Sequence, residues 1–158
     1  MWNKLKPYVI SVAIALAVGG FSAFLTQDNM DLYARINTPP LAPPGWLFPV
    51  VWTILYILMG IGAALVYVNR DKAPEAAEDA LRVYVLQLIA NFGWSIVFFN
   101  FEAYLFAFIW LLVLWVLILA MILKFREISP VAAYLQIPYL VWVTFAGYLN
   151  LVIYLLNR

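Results

Sequence analysis

The sequence predicts an all-α membrane protein, a bundle of five transmembrane helices forming one domain over residues 1–158. Two observations carry that prediction. Apolar residues make up 67% of the chain and charged residues 11%, against about 45–50% and about 25% in soluble domains. The charges also cluster, leaving uncharged stretches at 7–27, 36–69, 83–101, 103–123 and 128–157. Each stretch approaches or exceeds the roughly 20 residues that a helix needs to cross the hydrocarbon core.

The first helix is expected at about 7–26, behind Lys4 and Lys6. Two lysines, an apolar run and the small-residue stretch "GGFSA" are also the grammar of a cleaved signal peptide. The run continues through Phe21, Phe24 and Leu25, which is long for a signal core and favours a retained span. Ala13, Ala15, Ala17, Gly19, Gly20 and Ala23 make this helix rich in small residues. Such spacing lets membrane helices approach closely, either within the bundle or across a dimer seam.

A long link, 27–45, follows and ends in the stiff run "PPLAPPG". Links of this length are uncommon unless functional or disordered. Proline removes a backbone donor and fixes φ. The residues leave two readings open: a lid over the mouth of the bundle, or a stiff connector. The second helix is expected at 46–68, with Gly45 as its cap and Pro49 in its first turn. The most charged stretch, "NRDKAPEAAEDA", reads as a solvated connection with a helical turn after Pro74. Helices at 83–101 and 104–123 are joined by a very short link around Glu102 and must be antiparallel neighbours. The fifth helix is expected at 131–156.

Orientation follows from the basic residues. Lys4, Lys6, Arg70, Lys72, Arg82, Lys124 and Arg126 fall on one side of the membrane, and Arg35 and Arg158 on the other. The cell membrane is the expected location, and for insertion there the positive-inside bias predicts the N-terminus in and the C-terminus out.

What is missing narrows the chemistry. The chain has no cysteine and no histidine. Disulfides, thiolate nucleophiles, zinc–thiolate sites and the commonest metal ligand are therefore excluded, and no metal site or cofactor is expected. No charged residue falls within an expected span, where proton relays and ion-coupled pumps place one. A ligand would have to be held by shape, stacking and neutral hydrogen bonds.

Three expected helices carry one kind of stripe. Trp52 and Tyr56 lie four apart; Gln87, Asn91, Trp94 and Phe98 follow at four, three and four; Trp142, Ala146 and Asn150 are again four apart. Such spacings share a helix face. Amides are costly in hydrocarbon unless paired, so Gln87, Asn91 and Asn150 should face the bundle interior. They would serve there as interhelical hydrogen bonds or as part of a pocket. Membrane aromatics usually gather at the two interfaces, as suits Trp2, Trp46 and Tyr154. Trp52, Trp94 and Trp142 sit deeper in their expected spans, which points to a pocket.

The segments "PPLAPPGWLFPVVWTILYILMG", "LQLIANFGWSIVFF" and "IPYLVWVTFAGYLN" closely resemble the three signature blocks of the TspO/MBR family, the translocator-protein family. "DLYARINTPP" resembles that family's first loop. The resemblance implies a five-helix bundle, commonly a homodimer, with a pocket closed by the first loop. It also implies flat hydrophobic ligands: porphyrins such as protoporphyrin IX, isoquinoline carboxamide and benzodiazepine-type drugs, and in some members sterol-like lipids. Carried over, the ligand-binding positions would be Tyr33, Trp46, Trp52, Tyr56, Gln87, Asn91, Trp94, Phe98, Trp142, Ala146 and Asn150. If the family's light-dependent porphyrin breakdown operates here, Trp52 and Trp142 are the candidate redox partners. The chain departs from the family pattern at Leu32 and Leu41, where many members carry tryptophan, and so offers fewer rings from the loop side. Leu151, Tyr154 and Arg158 satisfy a sterol-recognition pattern whose tyrosine is shifted about three residues from the usual place.

Overall fold

The computed structural model describes residues 1–158 apart from Met30, Asp31 and the side chains of Tyr33 and Ala34. Among the described residues all regular structure is helical. Helix α1 (Trp2–Thr26) runs through a 3₁₀ turn, Gln27–Asn29, towards the short α2 (Leu32–Arg35). The chain then passes through the proline run into α3 (Leu47–Val68). After a 3₁₀ turn come α4 (Pro74–Ser95), its π-helical extension Ile96–Asn100, and α5 (Tyr104–Ile128). The short α6 (Pro130–Tyr134) and α7 (Ile137–Asn157) complete the chain. Five helical stretches are long and apolar enough to cross a membrane: 2–29, 47–68, 74–100, 104–128 and 130–157.

Helix bounds differ from the sequence expectation where charge misleads. The third span begins at Pro74 rather than 83. Pro74 occupies the first turn, where its missing donor costs nothing, and the Glu78–Arg82 pair at 2.6 Å supports a water-facing first two turns. Residues 69–73 of the charged segment are the connection, and the helical turn expected after Pro74 is the protruding base of α4. Lys124 and Arg126 likewise continue α5 beyond 123, and Lys124 Nζ reaches Asp79 Oδ2 on α4 at 2.9 Å. The fifth span, expected as one helix over 131–156, breaks at Leu135–Gln136. Pro138 has no N–H for the carbonyl one turn back and disfavours helical geometry at the residue before it.

Helix α1 lies along α3, α4 along α5, and α5 along α7. The α1–α3 approach depends on glycine. A Cβ on Gly60 would come 2.5 Å from the Val12 Cα, and one on Gly19 would meet the Tyr56 ring at 2.5 Å. The small residues of the first helix that face inward therefore work within the bundle.

The 27–45 link is docked on the helices. Leu32 is fully buried, and Ile36 and Ala42 pack against the core. Asn157 Nδ2 donates to the Asn37 carbonyl at 2.9 Å, and the Asn37 N–H donates back to Asn157 Oδ1 at 3.1 Å. The Tyr148 hydroxyl donates to the Pro40 carbonyl at 2.8 Å. At the other end, Asn29 Nδ2 donates to Asn100 Oδ1 at 2.8 Å, and Asn100 Nδ2 to the Leu25 carbonyl at 3.1 Å.

Candidate functional site

A cavity of about 470 Å³ lies within the half of the bundle that carries the C-terminus. That volume is ordinary for a small-molecule pocket. Helix α3 supplies Phe48, Pro49, Trp52 and Tyr56, and α7 supplies Trp142, Ala146, Leu149, Asn150 and Ile153. Asn91, Trp94 and Ser95 come from α4, and Phe98 and Phe99 from its π-helical extension. Steps of three and four on α4 and α7 hold each set to one face. The π turn, closed by the Phe101 N–H on the Ile96 carbonyl at 3.2 Å, widens the helix so that consecutive Phe98 and Phe99 both reach the wall. Such turns are frequent at functional sites. Gly19, Ser22 and Ala23 of α1 close the remaining side. Ala23, Gln27, Gly45 and Pro49 are the exposed lining residues, so the cavity opens between the end of α1 and the start of α3.

The amides are paired across helices. The Tyr56 hydroxyl donates to Asn91 Oδ1 at 3.1 Å, and Asn91 Nδ2 donates to the Tyr139 hydroxyl at 2.7 Å. The Tyr139 hydroxyl in turn donates to Gln87 Oε1 at 2.7 Å, and Gln87 Nε2 donates to Met59 Sδ at 3.8 Å. This chain joins α3, α4 and α7 and leads from the cavity wall into the core. Nearer the mouth, Trp94 Nε1 donates to Asn150 Oδ1 at 3.0 Å, and Asn150 Nδ2 donates to the Tyr104 carbonyl at 2.8 Å. Asn91 and Asn150 are therefore both interhelical ties and cavity wall, so the two readings open in the sequence hold together.

Trp52 lies tilted on Tyr56 with centroids 5.9 Å apart and meets Tyr139 edge-on at 6.2 Å. Phe98 stacks on Trp94 at 5.2 Å. Trp142 meets Phe48 edge-on at 5.8 Å, and its indole N–H is buried without an acceptor among the described residues.

Of the residues singled out in the sequence, Trp52, Tyr56, Asn91, Trp94, Phe98, Trp142, Ala146 and Asn150 come together on one wall. Gln87 does not; it is fully buried behind Tyr139. Trp46 is 68% exposed at the start of α3 and does not line the cavity. The Tyr33 side chain lies outside the described residues. Leu151 and Tyr154 are half-buried and Arg158 is exposed at the end of α7, all away from the cavity. The contribution of α1 escaped the sequence reading, although Ser22, a polar residue in an apolar run, was a signal for it. Phe99 escaped because regular helical spacing turns it away from Phe98.

Comparison with known proteins matches the TspO/MBR family model to residues 11–156. The tryptophan-rich protein TspO of Chlorobaculum tepidum is 38% identical over 158 residues, covering 99% of each chain. That of Archaeoglobus fulgidus is 35% identical over 156 residues, covering 98% of this chain and 99% of its own. The translocator protein of Ovis aries is 33% identical over 148 residues, covering 91% of this chain and 88% of its own.

Proposed function

The chain belongs to the TspO/MBR family and is an integral membrane protein, and on that premise we propose that it is a receptor or carrier for porphyrins and other flat hydrophobic molecules. The observation that carries this reading is the wall itself. Seven aromatic residues, Phe48, Trp52, Tyr56, Trp94, Phe98, Phe99 and Trp142, surround one cavity with three amides, Gln27, Asn91 and Asn150. Flat macrocycles are held by stacking, worth about 1–3 kcal/mol per ring in comparable recognition. Among the described residues no charged side chain lines the cavity, so recognition there is neutral.

In this reading the protein sits in the cell membrane with the N-terminus inside, and the cavity opens towards the outer leaflet. The docked 27–45 link is its lid. A homodimer in the membrane and a sterol-like lipid at Leu151, Tyr154 and Arg158 belong to the same proposal. The test is competition. Protoporphyrin IX bound to the purified protein should be displaced stoichiometrically by an isoquinoline carboxamide, and the reading fails if neither molecule saturates.

A second reading is light-dependent porphyrin breakdown. It is favoured by Trp52 and Trp142 both lining the cavity, where two indoles would exchange electrons with an excited macrocycle while dissolved dioxygen supplies the oxidant and the oxygen atoms for ring opening. Illumination of the protein with protoporphyrin IX separates the two. A bilin-like absorption band dependent on both tryptophans supports breakdown; an unchanged porphyrin spectrum leaves binding alone.

A further inference from the structure

We propose that the proline turn 39–44 is seated in the membrane, with Leu41 resting at the boundary between headgroups and acyl chains on the side of the bundle that carries the C-terminus. This placement is independent of the ligand reading and needs only that the chain spans a bilayer.

Depth comes from two hydrogen bonds to α7. Asn37 is tied to Asn157 at the helix end, while the Pro40 carbonyl is held by Tyr148, nine residues lower. At about 1.5 Å per residue, those two points on α7 are roughly 13 Å apart. Three extended residues cover about 10 Å of that drop, and the side chains cover the rest. The link therefore descends along α7 instead of arching above it. The level it reaches is fixed independently. Asn150, just above Tyr148, bonds the Tyr104 carbonyl, which lies in the first turn of α5. The exposed charge of Glu102 precedes that helix by two residues. Glu102 must meet water or headgroups, so this level is the bilayer boundary.

The flank it descends is apolar and exposed. Val141 is 63% exposed and Tyr148 38%, and Phe145, half-buried on the same face, stacks on Tyr148 at 6.1 Å. Leu41, next to the anchored Pro40, is 82% exposed. It occupies the third position of a turn closed by the Ala42 N–H on the Pro39 carbonyl at 3.2 Å, with φ of 70°. Turns that need positive φ there normally use Gly or Asn. Leucine is strained in this geometry and exposed as well, which suits an apolar side chain that must point into lipid and serves no purpose in water.

The prolines fit the same environment. Non-helical backbone near hydrocarbon must leave few donors unsatisfied. Pro39, Pro40, Pro43 and Pro44 have no N–H, the Ala42 N–H is bonded, and the Pro40 carbonyl has its Tyr148 donor. Trp46, also exposed, leaves the turn as an interfacial aromatic would.

The chain has no native cysteine, so Leu41→Cys carries a single environment-sensitive fluorophore without further change. Asp71→Cys, on the opposite exposed turn, is the aqueous control. Both sites are exposed, so labelling disturbs no packing. In phosphatidylcholine vesicles, the Leu41 label should be blue-shifted relative to the Asp71 label and shielded at least threefold from iodide. Lipid spin-labelled at chain carbon 5 should quench it more than lipid labelled at carbon 12. Equal iodide quenching at both sites would overturn the proposal. Stronger quenching from carbon 12 would overturn the boundary placement.

Discussion

Asn91 and Tyr139 are locked together at 2.7 Å, the amide of α4 donating to the hydroxyl of α7 in the core. Because Tyr139 also donates to Gln87, its single hydroxyl satisfies two buried amides. Tyr139→Phe keeps the ring and removes both bonds. A buried polar group left unsatisfied costs about 1–3 kcal/mol, so the variant should unfold at lower denaturant in detergent by that amount. The phenylalanine ring would keep the edge contact with Trp52, so ligand affinity should change far less than stability. An unchanged stability would show that the amides find other partners.

The α1–α3 seam gives a steric prediction. A Cβ at Gly60 would overlap the Val12 backbone, which cannot rotate away. Gly60→Ala should separate the two helices and cost about 1–3 kcal/mol, the range for overpacking a filled core. Gly20→Ala is the control, since none of the described residues lies within 4 Å of its Cβ position. Thermal melts of the two variants should differ clearly.

How much of this was legible in the sequence depended on what each signal measured. Charge placement located five spans because burying a charge in lipid is costly. It misplaced the start of α4 and the end of α5, because a helix need not end where its charges begin; Glu78, Asp79, Arg82 and Lys124 are all helical. Periodicity located the walls on α3, α4 and α7. It placed Gln87 in the bundle interior beside Asn91, and there Tyr139 covers it; the binding role implied for it by the resemblance is not part of the wall. The wall supplied by α1 is made of Gly19, Ser22 and Ala23, whose value is the space they leave, and spacing alone reads such residues as close packing. The break at Leu135–Gln136 was signalled by Pro138 but hidden by the apolar run around it.

The lid should respond to its hydrogen bonds. Tyr148→Phe removes the tie to Pro40, and Asn157→Ala removes the reciprocal pair with Asn37. Neither residue lines the cavity. Each change loses a net of about 0.5–1.5 kcal/mol per bond, so stopped-flow fluorescence should record ligand release several-fold faster, with a smaller change in association. Pro43→Ala and Pro44→Ala should act in the same direction. Unchanged release in all four would make the link a connector and not a lid.

Iron should matter little to binding. The sequence contains no histidine or cysteine to ligate haem in the usual way. Free-base protoporphyrin IX and haemin should therefore bind within tenfold of each other, a difference of about 1.4 kcal/mol. Side-by-side equilibrium titrations check this, and a larger haemin preference would mean an axial ligand from another residue type.

The most direct measurement of the central claim is tryptophan quenching by protoporphyrin IX in the native protein, Trp142→Phe and Trp142→Ala. A ligand-binding cavity predicts saturable quenching with micromolar affinity, near −8 kcal/mol. It predicts a mild effect of phenylalanine, which keeps a ring beside Phe48, and a loss of about 1–3 kcal/mol with alanine. Quenching that rises linearly without saturation, alike in all three proteins, would contradict it.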